Sequence, residues 1–172
     1  MTEALHEWHD FYLLIGTAAA ALIGMMFVAA SIGASFFTAE REAGMRAFLT
    51  PTVLHFTAIL VTCLVMTVPA LGAEALSALW LGVACSGVAY AARVWHQLRR
   101  GGFNIDRADR LWYAATPVAS YLLMSAAAIL LLLRQTAALD LLAVSVVLLL
   151  LLGIRNAWDM TVWMTLRAPT AK

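Results

Sequence analysis

The chain has 172 residues, 63% of them hydrophobic, with 11 Lys+Arg against 10 Asp+Glu and a formal net charge of +1. A mean hydropathy of +0.87 excludes a water-soluble globule, a disordered chain and a fibrous repeat, since soluble domains are roughly half apolar and about a quarter charged. A balance so close to neutral carries no global signal for nucleic acid or for an acidic partner.

Five stretches contain no Asp, Glu, Lys or Arg, at 11–39, 47–73, 75–92, 111–133 and 141–154. A hydrocarbon core of ~30 Å takes about 20 helical residues at ~1.5 Å each. The reading is an all-α integral membrane protein, a bundle of five transmembrane helices with no soluble domain, with spans near 11–37, 51–71, 75–96, 111–133 and 141–164. Continuous apolar runs favour helices over barrel strands, which alternate between polar and apolar.

Ahead of the first span, Glu3, Glu7 and Asp10 stand where a cleaved signal carries basic residues, so this span is expected to be retained. Glu3, His6, Glu7 and Asp10 share one helical face, with His9 beside them. Carboxylates and imidazoles at this spacing can hold a divalent metal such as zinc; an acidic solvated collar has the same pattern. Within the first span, Gly16, Ala20 and Gly24 recur every four residues and form a row that lets another helix approach closely.

Thr50 followed by Pro51 reads as an N-cap with Pro at the first helical position, so the second span is expected to begin there. Its threonines, Thr52, Thr57, Thr62 and Thr67, recur every five residues and cannot form one stripe. His55 lies one turn into this span. A tight turn near Glu74 would pair spans two and three as a hairpin, with Cys63 level with Cys85 and His55 level with Arg93, and His96 a turn beyond. Both cysteines sit in apolar runs and read as small packing residues. The third span carries a second small-residue row, Ala78, Gly82 and Ser86, which makes the first and third helices the expected bundle or subunit contacts.

Gly101 and Gly102 end the third span, and Pro117 is expected to kink the fourth or displace its first turn. The fifth charge-free run has only 14 residues and spans only if its helix continues through Arg155, Asn156 and Asp159. Its Leu and Val run from Leu141 to Leu152 suits a lipid-facing position. Arg155 and Asp159, four apart, can form an ion pair on one face. An intramembrane charge without such a partner costs about 3 kcal/mol or more.

Charge position also gives an orientation. With the N-terminus outside and the C-terminus inside, ten of the 11 basic residues face the cytoplasm and only Arg134 faces out, as the positive-inside rule requires. Trp8, Trp112, Trp158 and Trp163 fall near the interfaces, where tryptophan anchors a helix.

His55, Arg93, His96, Arg155, Asn156 and Asp159 therefore converge on the cytoplasmic half as a candidate polar site. His55 itself has three readings. It can be an interfacial histidine bonded to Thr52 or a carbonyl, a proton-responsive group, or, with His96, an axial haem ligand.

No nucleotide, metalloprotease, hydrolase or dinucleotide motif is present, so conventional enzyme activity is not expected. The general texture resembles small multi-pass proteins of bacterial inner membranes. The expected function is an oligomeric ion or proton channel, transporter or sensor. The alternative is a structural or accessory protein that binds another membrane protein, and a haem redox protein is a third.

Overall fold

A computed structural model of the chain describes residues 6–34, 39–69, 71–100, 112 and 115–166. They form five helices and, among the described residues, no strand: α1 His9–Ala34, α2 Ala39–Thr67, α3 Ala73–Arg100, α4 Thr116–Leu132 and α5 Ala137–Leu166. Four are long and apolar enough to cross a membrane, over His9–Ile32, Leu49–Thr67, Ala73–Val94 and Ala137–Val162. The chain is thus a helical, multi-pass integral membrane protein.

The fourth and fifth helices depart from their charge-free runs in opposite directions. The fifth does continue through Arg155, Asn156 and Asp159, and reaches 30 residues. The fourth stops at 17 residues, or about 26 Å. Pro117 explains this, because it stands in the first turn of α4 and has no N–H to extend the ladder backwards. The backbone at Trp112 and Ala115, just ahead, is wound in the wider π form. Pro117 therefore displaces the first turn instead of kinking the span.

A second correction concerns Thr50 and Pro51. They do not start the second helix, which begins at Ala39 and carries Pro51 in its interior. The lost backbone hydrogen bond is tolerated in a membrane helix, where neighbouring groups satisfy the freed carbonyl. Pro51 marks where the helix becomes apolar, near Leu49.

Helix order in space follows from a few long-range contacts. The Tyr12 hydroxyl donates to the Leu139 carbonyl at 2.9 Å, so α1 and α5 begin at the same end. Gly16 lies against the Cys63 side chain, so α1 and α2 run antiparallel. The most extensive contacts are α3 with α4, α1 with α2, α4 with α5 and α2 with α5. Helices α2 to α5 thus close a ring in which α2 and α3 touch least, and α1 lies outside it against α2. The expected α2–α3 hairpin is a sequential connection more than a packed pair.

The core is built on α5, not on α1. Half of the α5 apolar stretch is buried, 50% against 17% for α1. Leu139, Leu142, Val146, Leu149 and Leu152 are all buried. This overturns the lipid-facing reading of the Leu and Val run. A helix that is apolar all round has no preferred face, so its place is decided by neighbours. Here Gly153 decides it, since a Cβ there would overlap the Phe56 ring of α2.

The turn between α4 and α5 closes with Arg134 in the left-handed region at φ 58°. Gln135 N–H donates to the Leu130 carbonyl and Arg134 N–H to Leu131, both at 3.0 Å. This is a Schellman closure with arginine where glycine is usual.

Candidate functional site

Polar side chains inside a bilayer must find partners within the protein, because no water competes for them. Four helices supply such groups to the bundle interior; α3 gives Ser77 and α2 also gives Thr62, and the group around His55 comes from the other three. Thr52 and His55 come from α2, Ser120 and Tyr121 from α4, and Ser145 and Asn156 from α5, and all six are buried.

At the centre, His55 Nδ1 and the Tyr121 hydroxyl lie 2.9 Å apart in a buried hydrogen bond. Which of them donates depends on the imidazole tautomer. Their rings are 5.8 Å apart between centroids and tilted by 44°. Gly87 of α3 makes this possible: a Cβ at 87 would overlap the Tyr121 ring, so only glycine lets the ring lie on the α3 backbone. From that position the Tyr121 hydroxyl crosses the bundle from α4 to α2.

Beside the pair the hydroxyls return to backbone. Ser120 Oγ donates to the Thr116 carbonyl at 2.9 Å. Ser145 Oγ, from α5, donates to the Ser120 carbonyl at 2.8 Å and ties the two helices. Asn156 is 3% exposed, and its Oδ1 accepts no hydrogen bond. Because α2 and α5 are antiparallel and Gly153 meets Phe56, register puts Asn156 level with Thr52 and Val53, about one turn from His55.

The rim residues behave differently. Arg155 Nε and Asp159 Oδ2 are 3.7 Å apart, the expected i,i+4 pair, with side chains 38% and 31% exposed. The Arg155 guanidinium also covers the Trp112 ring at 4.7 Å from its centroid, a cation–π contact that keeps it beside the start of α4. Arg93 and His96 are exposed on α3. Of the six residues expected to converge, the structure places only His55 and Asn156 inside. His96 is exposed on α3 whereas His55 is buried with its Nδ1 bonded to Tyr121, so the two histidines stand in different environments.

At the opposite end, His6, Glu7, His9 and Asp10 are exposed, and Glu3 lies outside the described residues. Among the described residues no three of His, Cys, Asp or Glu cluster closely enough to hold a metal ion. Cys63 is buried, Cys85 is exposed, and both are free thiols.

The small-residue rows divide in the same way. Gly16 packs against Cys63, with a Cβ there falling 2.9 Å from the Cys63 Cβ, whereas Gly24 and Gly82 have nothing within 4 Å. Ala20, Ala78 and Ser86 are exposed. The first and third helices therefore do not meet through these rows, which face outward. The threonines of α2 scatter as their spacing requires: Thr52 and Thr62 are buried and Thr57 is exposed.

Tyr121, Ser120, Ser145 and, on α3, Ser77 are interior polar residues that sequence reasoning missed. Tyr121 had a usable signal. A tyrosine deep in an apolar run must deliver its hydroxyl to a polar partner on another helix, and His55 is such a partner.

Comparison of the chain with family models, with curated proteins and with solved structures finds no match.

Proposed function

We propose that the protein is a five-span bundle of a bacterial-type inner membrane, N-terminus outside and C-terminus inside, that passes or senses a proton. The His55–Tyr121 pair is the group that takes up and releases it. The observation that carries this reading is the 2.9 Å hydrogen bond between an imidazole and a phenol in the bundle interior. Imidazole is the side chain whose ordinary titration lies nearest neutrality. A Tyr hydroxyl both donates and accepts, so the pair can exchange donor and acceptor roles as the tautomer changes. Asn156, with a free acceptor about one turn away, offers a polar step toward the basic end.

The ten-to-one division of basic residues supports the orientation and the count of five. The short α4 crosses because its partners α3 and α5 are long enough to hold it at depth, and the π-wound residues ahead of it add length.

Reconstitution in liposomes with a trapped pH indicator tests the reading. A pH step should collapse faster than in protein-free vesicles, and His55→Ala should return the rate to the protein-free value. Flux indistinguishable from empty vesicles rejects conduction.

A second reading, an accessory protein or homo-oligomer subunit, is favoured by the outward-facing rows of Ala20 and Gly24 and of Ala78, Gly82 and Ser86. Small residues on a lipid-facing surface allow close approach of another helix. Absence of flux together with one membrane protein co-purifying in fixed ratio supports it.

A further inference from the structure

A groove of about 540 Å³ opens on the outer surface over α2, walled by Phe27 of α1 and by Val83 and Ser86 of α3. Its floor is α2 from Leu49 to Val61. The twelve helical steps between them rise about 18 Å, against ~15 Å for half of a ~30 Å hydrocarbon core. The groove thus begins where α2 turns apolar at Leu49 and ends near mid-membrane, the depth of one leaflet. Its walls are almost wholly apolar, and the Ser86 hydroxyl is already committed to the Val83 carbonyl at 2.7 Å.

On the rim side of the groove's α3 wall, beyond its lining residues, stands a cation. Arg93 is seven residues beyond Ser86, two turns along α3 and about 20° from its direction, and it is exposed just before the apolar stretch of α3 ends at Val94. His96, also exposed, lies one turn further out. An apolar slot one leaflet deep with a guanidinium at the headgroup level matches one amphiphile, an acyl chain ending in a phosphate.

We propose that this groove binds one anionic phospholipid of the leaflet at the basic end, with an acyl chain along α2 between α1 and α3 and the phosphate on Arg93. The inference rests on membrane insertion of the chain and not on proton passage, so it stands or falls separately from the flux assay.

Native mass spectrometry of the full chain released from detergent tests it, with phosphatidylglycerol, phosphatidylcholine or inorganic phosphate titrated in turn. The expected result is one tightly held phosphatidylglycerol per chain, weaker retention of phosphatidylcholine and none of phosphate. Arg93→Gln should weaken phosphatidylglycerol about fivefold, as loss of a single basic side chain at a membrane surface does, and should weaken phosphatidylcholine less, because its choline ammonium offsets the charge of its phosphate. Thr57→Phe, at an exposed floor position, should weaken both lipids. Val144→Phe, on the exposed face of α5, is the control and should change neither; circular dichroism checks that each variant is folded. Equal retention of the two lipids, indifference to Arg93→Gln, or a dimer that Thr57→Phe dissociates overturns the proposal, the last by giving the groove to a second copy.

Discussion

His55 and the Arg155–Asp159 pair look alike in the sequence, as polar groups inside apolar runs, yet they end in opposite environments. His55 is buried and bonded across the bundle to another helix, 66 positions along the chain. Arg155 and Asp159 face each other on one helix, 3.7 Å apart and about a third exposed, and Arg155 also lies over Trp112. The difference teaches where a polar residue's partner comes from. At nearly the same depth, a long side chain on an outward face reaches a neighbour on its own helix and the headgroups. A side chain facing the bundle interior can draw its partner only from a second helix, and fold and site become one problem.

Overpacking the interior should separate the two regions most strongly. Gly87→Leu drives a side chain into the Tyr121 ring, and overpacking a tightly packed interior costs about 1–3 kcal/mol, occasionally more. A melt in detergent should show loss of most folded protein. Gly82→Leu, five residues earlier on the same helix with nothing within 4 Å, should change stability by less than about 0.5 kcal/mol.

Removing one hydroxyl comes next. Tyr121→Phe leaves the His55 imidazole buried without its partner, a loss of about 1–3 kcal/mol. His55→Phe combined with Tyr121→Phe should cost less than the sum of the single changes, because no polar group is then stranded. A double-mutant cycle with near-zero coupling would mean that the hydrogen bond does not exist in the membrane.

Arg134→Gly should raise stability by up to about 1 kcal/mol, since glycine meets no Cβ penalty in the left-handed region that Arg134 occupies at φ 58°. The smallest effect belongs to the rim pair. Asp159→Asn should cost less than about 0.5 kcal/mol and should fall further in high salt. A loss as large as that of Tyr121→Phe would place Asp159 with the interior group and erase the distinction drawn above.

Much of the fold was legible because charge and hydropathy act over whole segments. The five apolar stretches all became helices, and the α5 extension through Arg155 and Asp159 followed from the span length required. What was not legible depends on which faces meet. The Leu141–Leu152 run is apolar all round and gives no facing information, so its central position came only with Gly153 against Phe56. Small-residue spacing found Gly16 but equally marked Gly24 and Gly82, which contact nothing. Close approach needs a partner as well as a missing side chain. Pro51 followed the rule for helix starts, yet lies inside α2, since loss of one backbone hydrogen bond does not end a membrane helix. The site was half legible: His55 and Asn156 are interior, but Tyr121 required knowing that α4 stands across from α2.

The central claim is that the interior pair, and not the rim pair, handles the proton. Its most direct test is proton flux in one vesicle preparation for the original chain, His55→Gln, Tyr121→Phe and Asp159→Asn, each reconstituted at equal density. The account predicts that His55→Gln abolishes flux, Tyr121→Phe lowers it at least tenfold, and Asp159→Asn stays within about twofold of the original, in keeping with a weak exposed ion pair. Flux that survives His55→Gln and disappears in Asp159→Asn would contradict it.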